Sequence, residues 1–143
     1  EKNVSLNPFD CRNTPNNRAF LRRWLKAITM VDDALSEKEI GRAVTTAFDY
    51  LKPEERILKN LYKSCFSPTG NMRRELFRWI NPDQYGNIFN AENDSLDLAS
   101  KRFMAFDFTH IFEDETLAPA VISYIMHRIM AETGDTGVLA DYD

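Results

Sequence analysis

Four consecutive stretches with apolar residues at helical spacing lie between residues 15 and 80, and this pattern constrains the fold more than any other feature. Apolar residues that recur every three or four positions line one face of an α-helix, so each stretch predicts a helix with one buried side. The apolar positions are Phe20, Leu21, Trp24, Leu25 and Ile28; then Ile40, Val44, Ala47, Phe48 and Leu51; then Ile57, Leu58, Leu61, Tyr62 and Cys65; and finally Leu76, Phe77 and Ile80, with Trp79 beside them.

Local signals predict where these helices begin and end. Asn13-Thr14-Pro15 combines an N-cap residue with a proline in the first turn. The segment 36–39 has the Ser-x-x-Glu pattern of a capping box, which predicts the start of the second helix. Pro53 is expected to open the third helix, and the segment 67–70 separates it from the fourth, which ends before Asn81-Pro82.

The chain changes character after residue 81. Residues 81–101 are mostly polar and predict an ordered loop, whereas residues 102–108 are almost continuously apolar. Such a run is typical of a strand that is covered on both faces in a parallel sheet. A last helix is predicted to begin near residues 117–119 and to end near Gly134, which is a suitable C-cap residue.

The order of these elements predicts the fold class and the domain organisation. Residues 1–12 form an extended segment, residues 13–81 a helical subdomain, and residues 82–143 a loop, a buried strand and a long helix. Four helices between two extended segments are typical of a helical insertion in an α/β domain, and a strand followed by a helix is half of a βαβ unit. The prediction is a mostly α fold with a partial α/β element.

Composition excludes several functional classes. A chain of 143 residues with 12% aromatic residues has the size and the apolar content of one ordered domain. Its net charge of −4 argues against a dedicated nucleic-acid-binding module, and no apolar run approaches the roughly 20 residues that span a bilayer. The chain begins at Glu1 without a signal-peptide pattern, so we expect it to be a piece of a longer protein.

Catalytic and metal-binding motifs are missing from the sequence. Cys11 and Cys65 show no CxxC spacing, and His110 and His127 have no partner at ligand spacing, so free thiols and no zinc site are expected. The chain contains no GxxxxGK(S/T), GxGxxG, GxSxG or HExxH pattern. Without a phosphate loop and its lysine, the isolated chain is not expected to bind a nucleotide or to act as an enzyme.

A few acidic and amide side chains are candidates for a site. Asp107 lies at the carboxyl end of the predicted buried strand, where α/β sheets place their ligands, although capping of the following turn is the favoured interpretation. A second group carries oxygen ligands that suit a hard cation, but it lacks the spacing and the glycine of an EF-hand, which favours a solvated loop. This group is Asn90, Asn93, Asp94 and Asp97.

Two short basic clusters are the other candidate site. Each is placed to meet DNA or an acidic partner, while a solvated helix face is the simpler interpretation in a net acidic chain. The clusters are Arg22, Arg23 and Lys26 on the first predicted helix, and Arg73, Arg74 and Arg78 on the fourth.

Several segments, taken in order, resemble the CagE/TrbE/VirB family of motor ATPases from type IV secretion and conjugative transfer. That family shows an FNP segment, a G-x-x-F-D/N stretch, a GFDMT strand and a YLFHRI helix in this order. The chain matches them with Leu6-Asn7-Pro8-Phe9, with Tyr85-Gly86-Asn87-Ile88-Phe89-Asn90, with Ala105-Phe106-Asp107-Phe108-Thr109, and with Tyr124-Ile125-Met126-His127-Arg128-Ile129. Alanine replaces glycine in the third motif, and the fourth agrees in four of six positions.

The resemblance covers residues 4–134 and implies a position within a RecA-like P-loop ATPase domain. In this family the Walker A loop precedes the matching region and the Walker B strand follows it, so the chain is expected to contain the helical subdomain between them. The parent protein would then use ATP and Mg²⁺, and the isolated fragment would bind neither of them. Its partners would be copies of itself, in a hexamer, and other subunits of the secretion apparatus.

The resemblance also implies a location and a weak site assignment. The parent would be cytoplasmic and associated with the bacterial inner membrane, without a transmembrane segment in this region. The family continues into an apolar strand that ends in Asp-Glu, but residues 137–143 are short and polar. Asp141 and Asp143 are therefore only weak candidates for the magnesium-site acid.

Two other classes of function stay open at this point. The chain is also compatible with a helical protein-interaction module that has no nucleotide role. A DNA-contacting element of a translocase is a weaker alternative, which rests on the arginine clusters alone.

Overall fold

The computed structural model describes residues 4–92 and 108–135, which belong to two separate compact units that divide after Asp107. The first unit contains five α-helices and one short 3₁₀ turn within its described part, and the second contains two α-helices. The helices are α1 (Pro15–Thr29), α2 (Ala34–Asp49), α3 (Leu58–Cys65), α4 (Asn71–Ile80), α5 (Gly86–Phe89), α6 (Thr109–Glu113) and α7 (Leu117–Asp135), and the 3₁₀ turn spans Pro53–Glu55.

The first helix begins as its sequence predicts. Thr14 is the N-cap of α1, where its hydroxyl accepts a hydrogen bond from the Asn17 backbone N–H at 3.0 Å, and Pro15 occupies the first turn. The helix ends at Met30, which adopts a left-handed conformation with φ of 57°. Its backbone N–H donates to the carbonyl of Lys26 at 2.8 Å, which closes the last turn.

The capping box predicted for α2 is wrong. The N-cap is Asp33, whose carboxylate accepts from the backbone N–H of Ser36 at 3.0 Å, so the helix begins before the predicted serine. Glu39 does not reach back to the helix start, because its carboxylate instead accepts from the Ser67 backbone N–H at 2.8 Å. The contact of Glu39 with the distant Ser67 thus replaces the local capping contact that the sequence pattern predicts.

Pro53 opens the 3₁₀ turn rather than the third helix. The helix α3 starts five residues later, at Leu58, and buries Leu58, Leu61 and Cys65 on the predicted apolar side. The fourth helix ends at Ile80, immediately before Asn81-Pro82, as predicted. Residues 81–92, predicted as loop, include the single helical turn of α5.

Aromatic residues form the centre of the first unit. Trp24 of α1 and Trp79 of α4 both pack against Phe89 of α5, with ring centroids 5.1 Å and 5.7 Å apart, and Tyr85 lies 4.8 Å from Trp79. Trp79 and Phe89 are almost completely buried. The structural role predicted for the two tryptophans is therefore confirmed, and α5 is held in place by these rings.

The second unit consists of α6 and α7. Asp114 joins them, since its carboxylate accepts from the backbone N–H of Thr116 at 2.9 Å and of Leu117 at 3.0 Å and so caps α7. The start of α7 at Leu117 agrees with the prediction, whereas Gly134, the predicted C-cap, lies within the helix, which is described as far as Asp135. The predicted strand 102–108 lies outside the described residues except for Phe108, which precedes α6.

The mostly α character of the fold is confirmed, since residues 4–92 and 108–135 contain helices and no strand. The partial α/β element depends on residues 102–108 and stays a prediction. No helix within the two described ranges is both long enough and apolar enough to cross a membrane.

Candidate interaction surface

The first two motifs of the family resemblance lie against each other in the structure. The backbone N–H of Leu6 donates to the carbonyl of Ile88 at 2.6 Å, and the carbonyl of Leu6 accepts from the N–H of Ala91 at 3.3 Å. The extended segment at the start of the chain is thereby fixed to α5 and the residues after it. These motif residues build the framework of the first unit.

Asn7 anchors this contact from a fully buried position, with 0% of its surface exposed. Its side-chain amide donates to the carbonyl of Arg56 at 2.8 Å and, at the long distance of 3.5 Å, to that of Glu92. Its side-chain oxygen accepts from the Phe9 backbone N–H at 3.0 Å. One buried side chain thus joins three segments that are distant in sequence. Each of these hydrogen bonds matters, because a buried amide without partners is costly.

Asn90 has a similar role at the end of α5. Its amide donates to the carbonyls of Gly86 at 2.8 Å and Trp79 at 3.0 Å, and its oxygen accepts from the Lys59 backbone N–H at 2.8 Å. These bonds connect α3, α4 and α5. The side chain of Asn90, a candidate cation ligand, therefore stabilises the packing of these helices. The other members of that group, Asn93, Asp94 and Asp97, lie outside the described residues.

The three remaining acidic candidates are not described either. Asp107, Asp141 and Asp143 all fall outside residues 4–92 and 108–135, and their roles stay predictions. Within those ranges, no group of three or more His, Cys, Asp or Glu side chains is arranged to hold a metal ion.

The basic cluster on α1 lies at the groove between α1 and α2. Arg22, Arg23 and Lys26 are exposed and line a cavity of about 280 Å³ together with Glu37 and Ile40 of α2. Lys26 pairs with Glu37 at 3.1 Å, and both side chains are about half exposed. An exposed pair of this kind contributes little to stability, but it places a negative charge within the cluster.

The basic cluster on α4 is split between two environments. Arg73 and Arg74 line a larger cavity of about 490 Å³, while Arg78, one turn further along, is exposed. The other residues that line this cavity are Tyr62, Pro68, Thr69, Gly70 and Phe77. We name these seven residues the α3–α4 groove. The two basic clusters line separate cavities, and the sequence pattern did not indicate the contribution of Tyr62 and Phe77.

A buried carboxylate supports the loop that borders this groove. Glu39 is almost fully buried and holds the backbone of Ser67, the first residue of the loop that leads into α4. One of its oxygens has no hydrogen-bond partner and lies close behind Gly70, the N-cap of α4.

Asp33 links the starts of α2 and α4. Its carboxylate accepts from the side-chain amide of Asn71 at 3.1 Å in addition to the bond from Ser36. The Ser36 hydroxyl, the Asn71 amide and the Ser36 backbone N–H, in this order, lower the pKa of Asp33 to about 2. The charged form is therefore the one that the fold stabilises.

We expect the variant Asp33→Ala to unfold at a lower urea concentration than the wild type at pH 7. The folded-state pKa is about 2 and the unfolded value is about 3.9, so the contribution is complete above roughly pH 4. It disappears as the pH falls through the folded value. The difference between the two midpoints should shrink steadily between about pH 4 and pH 2.

The matched control is the exposed neighbour Asp32, which precedes the cap. Asp32→Ala should leave both the midpoint and its pH dependence close to the wild type, because surface substitutions away from caps are usually almost neutral. An Asp33→Ala midpoint that differs from the wild type by the same amount at pH 7 and at pH 2 would contradict the capping role.

Comparison with known proteins gives relatives in one functional group. No family model matches the chain. The chain is 30% identical over 123 residues, or 82% of its length, to the type IV secretion system protein virB4 of Bartonella henselae and, over the same extent, to that of Bartonella quintana. It is also 30% identical over 124 residues to the protein virB4 of Agrobacterium fabrum.

These relatives are much longer than the chain, which spans about 15% of their length. The matched part nevertheless covers most of the chain, and the relatives agree with one another in name. The resemblance indicated by the ordered motifs is therefore confirmed at the level of the family.

Proposed function

We propose, from the membership of this chain in the CagE/TrbE/VirB family, that it is part of a longer protein that energises a type IV secretion or conjugation apparatus. The observation that carries this proposal is the 30% identity to virB4 proteins over 82% of the chain. The meeting of two family motifs in the structure supports it, because the matched residues are the ones that hold the first unit together.

The chemistry of the whole protein would be ATP hydrolysis with Mg²⁺. A bound Mg²⁺ and a lysine of a phosphate loop would supply positive charge to the transferred phosphoryl group, and a positioned acid would orient the attacking water. The lysine would come from outside this chain, which has no GxxxxGK(S/T) motif, and Asp107, Asp141 and Asp143 are only weak candidates for the acid. We place the chain between the Walker A loop and the Walker B strand of a RecA-like domain, with residues 13–81 as the inserted helical subdomain.

The proposed role of the chain itself is to provide scaffold and contact surfaces without activity. Its partners would be further copies of the parent protein, assembled as a hexamer, and other subunits of the secretion apparatus. The parent would work in the cytoplasm at the inner membrane. The exposed arginines of α1 and α4 are the surfaces that we assign to such contacts.

The experiment that tests this proposal compares two proteins by phosphate release from ATP in the presence of Mg²⁺. The purified 143-residue chain should not exceed a buffer blank. The whole protein should hydrolyse ATP, and replacement of the lysine in an upstream GxxxxGK(S/T) motif by alanine should abolish that activity. ATP hydrolysis by the 143-residue chain would refute the inactive scaffold role, and its absence from the whole protein would refute the motor.

The second candidate is a helical interaction module without any role in nucleotide chemistry. The α3–α4 groove favours this function, because exposed apolar side chains beside arginines are typical of surfaces that bind a partner. The flanking sequence discriminates between the two candidates. A phosphate-loop motif upstream together with an apolar Asp-Glu strand downstream supports the motor, and a parent without either supports the module.

A further inference from the structure

The α3–α4 groove has an apolar wall that the first unit leaves uncovered. Phe77 is 49% exposed, although the nearby Trp79 on the same helix is only 1% exposed. Pro68 is exposed as well, and the partly buried Tyr62 lines the same cavity. Exposed aromatic side chains that face a common cavity are typical of surfaces that bind a partner.

The charge of the groove is positive and rigidly placed. The Arg73 guanidinium lies over the Tyr62 ring, 4.5 Å from its centroid, and donates to the carbonyl of Lys63 at 3.2 Å. The Tyr62 hydroxyl in turn donates to the carbonyl of Arg73 at 3.1 Å, so the two side chains hold each other. Stacking on an aromatic face leaves the edge of a guanidinium available to acceptors.

Two observations describe the hydrogen bonding and the charge of this arrangement. The Nε atom of Arg73 is buried and has no hydrogen-bond partner, which is unfavourable for a donor. Among the described residues that line the groove, none is acidic. Arg74 pairs with the partly exposed Glu75 at 3.2 Å and with Asn71 at 2.7 Å, so Arg73 carries the positive charge that no acidic lining residue offsets.

The α1 cluster has a different arrangement. There Glu37 lines the same cavity as the basic residues and pairs with Lys26, so its own chain already supplies the opposite charge. In the α3–α4 groove Glu75 pairs with Arg74, whereas no acidic side chain among the described residues pairs with Arg73, in a chain whose net charge is −4. Its positive charge is therefore local, and it calls for a ligand of opposite charge.

We propose that the α3–α4 groove binds an acidic peptide segment of a partner protein, with one apolar side chain of that segment seated against Phe77. A cavity of about 490 Å³ accommodates such a side chain, and the arginines complement the carboxylates beside it. DNA is the weaker occupant, because nucleic-acid surfaces follow the phosphates with a longer basic stripe. The inference rests on the contact role proposed above and names its ligand, while its test does not depend on ATP hydrolysis.

The test titrates the 143-residue chain with a fluorescein-labelled peptide of sequence Asp-Glu-Phe-Leu-Glu-Asp and follows fluorescence anisotropy. We expect saturable binding that weakens as salt rises from about 50 to 300 mM, because the charges are exposed to screening. Phe77→Ser should weaken binding about tenfold, and Arg74→Ala about threefold, as is typical of a central and a peripheral contact. Both positions are exposed or at the rim, so both variants should fold, which circular dichroism verifies.

Three controls identify the occupant. Arg42→Ala, at an exposed arginine of α2 that lines neither cavity, should bind the acidic peptide like the wild type. A peptide with lysine in place of each acidic residue should not bind, and a 20-base-pair DNA duplex should bind more weakly than the acidic peptide. The proposal is overturned if binding of the acidic peptide does not saturate, or if the duplex binds more tightly than the peptide. It is also overturned if sedimentation shows a dimer that Phe77→Ser converts to a monomer, because a second copy would then occupy the groove.

Discussion

Gly86→Ala is expected to lower the free energy of unfolding of the first unit by about 3 kcal/mol, which is at the upper end of what an added methyl group causes in a packed site. A β-carbon at this position would lie 2.5 Å from the carbonyl oxygen of Ile80 and 2.6 Å from the carbonyl carbons of Ile80 and Asn81. All three atoms belong to the backbone, so no side chain can rotate to make room. Either α5 or the end of α4 must move.

The surroundings of Gly86 resist such a movement. Its backbone N–H donates to the carbonyl of Asn81 at 2.9 Å, and its carbonyl accepts from the Asn90 side chain at 2.8 Å. Phe89, three residues later, is fixed between the two tryptophans. Displacing α5 would therefore disturb the central aromatic cluster, which explains why the expected effect is large for a single methyl group.

The chain offers a matched control in Gly41, which lies inside α2. A β-carbon there would have no neighbour within 4 Å. Gly41→Ala is expected to raise the free energy of unfolding by about 0.5–1 kcal/mol, because alanine restricts the unfolded chain and favours the helix. Urea unfolding followed by far-ultraviolet circular dichroism measures both variants. Equal stabilities for the two alanine variants would show that the close approach at Gly86 is not real.

The helices were predictable because their signals are local. The spacing of apolar residues located α1, α2, α3 and α4, and Thr14-Pro15 and Asn81-Pro82 gave one boundary each for α1 and α4. These features depend on residues within a few positions of each other, where side-chain periodicity and backbone restrictions of proline act directly. The family resemblance was also accessible, since ordered motifs persist in the sequence whatever their structural roles.

The errors arose where a distant residue decides the outcome. Ser36 and Glu39 match a capping box, but the Ser67 backbone competes for Glu39, and Asp33 supplies the cap instead. The α3–α4 groove was accessible only in part for the same reason. Its arginines were visible as a cluster, whereas the stacking of Arg73 on Tyr62 requires the packing of α3 against α4.

Asn7 shows the same limitation in its clearest form, and its replacement is the second large effect that we expect. In the sequence it is a polar residue before a proline, which indicates only an extended backbone. In the structure it is fully buried and donates to Arg56 while accepting from Phe9. Asn7→Ala leaves the Arg56 carbonyl and the Phe9 N–H without these hydrogen bonds in a buried position, so the free energy of unfolding should fall by about 3 kcal/mol.

The control for Asn7 is Asn16, an exposed asparagine in the first turn of α1. Asn16→Ala should change the free energy of unfolding by no more than about 0.5 kcal/mol, as is usual for exposed positions. Equal urea midpoints for Asn7→Ala and Asn16→Ala would show that the hydrogen bonds of Asn7 do not stabilise the first unit.

A third variant separates the hydrogen bonds of Asn7 from the space that it fills. Asn7→Asp keeps the size and the acceptor for the Phe9 N–H, but an ionised carboxylate cannot donate to the carbonyl of Arg56. Burial, together with the Arg56 carbonyl that would face one of its oxygens, should raise the folded-state pKa of this carboxyl above its unfolded value. The variant should therefore be least stable at pH 7 and should recover as the pH falls through that folded value, because the protonated carboxyl regains a donor. Urea midpoints measured from pH 7 to pH 4 and compared with wild type test this. A constant deficit across that range would mean that the amide only fills space, and recovery on acidification would assign the stability to the bond with Arg56.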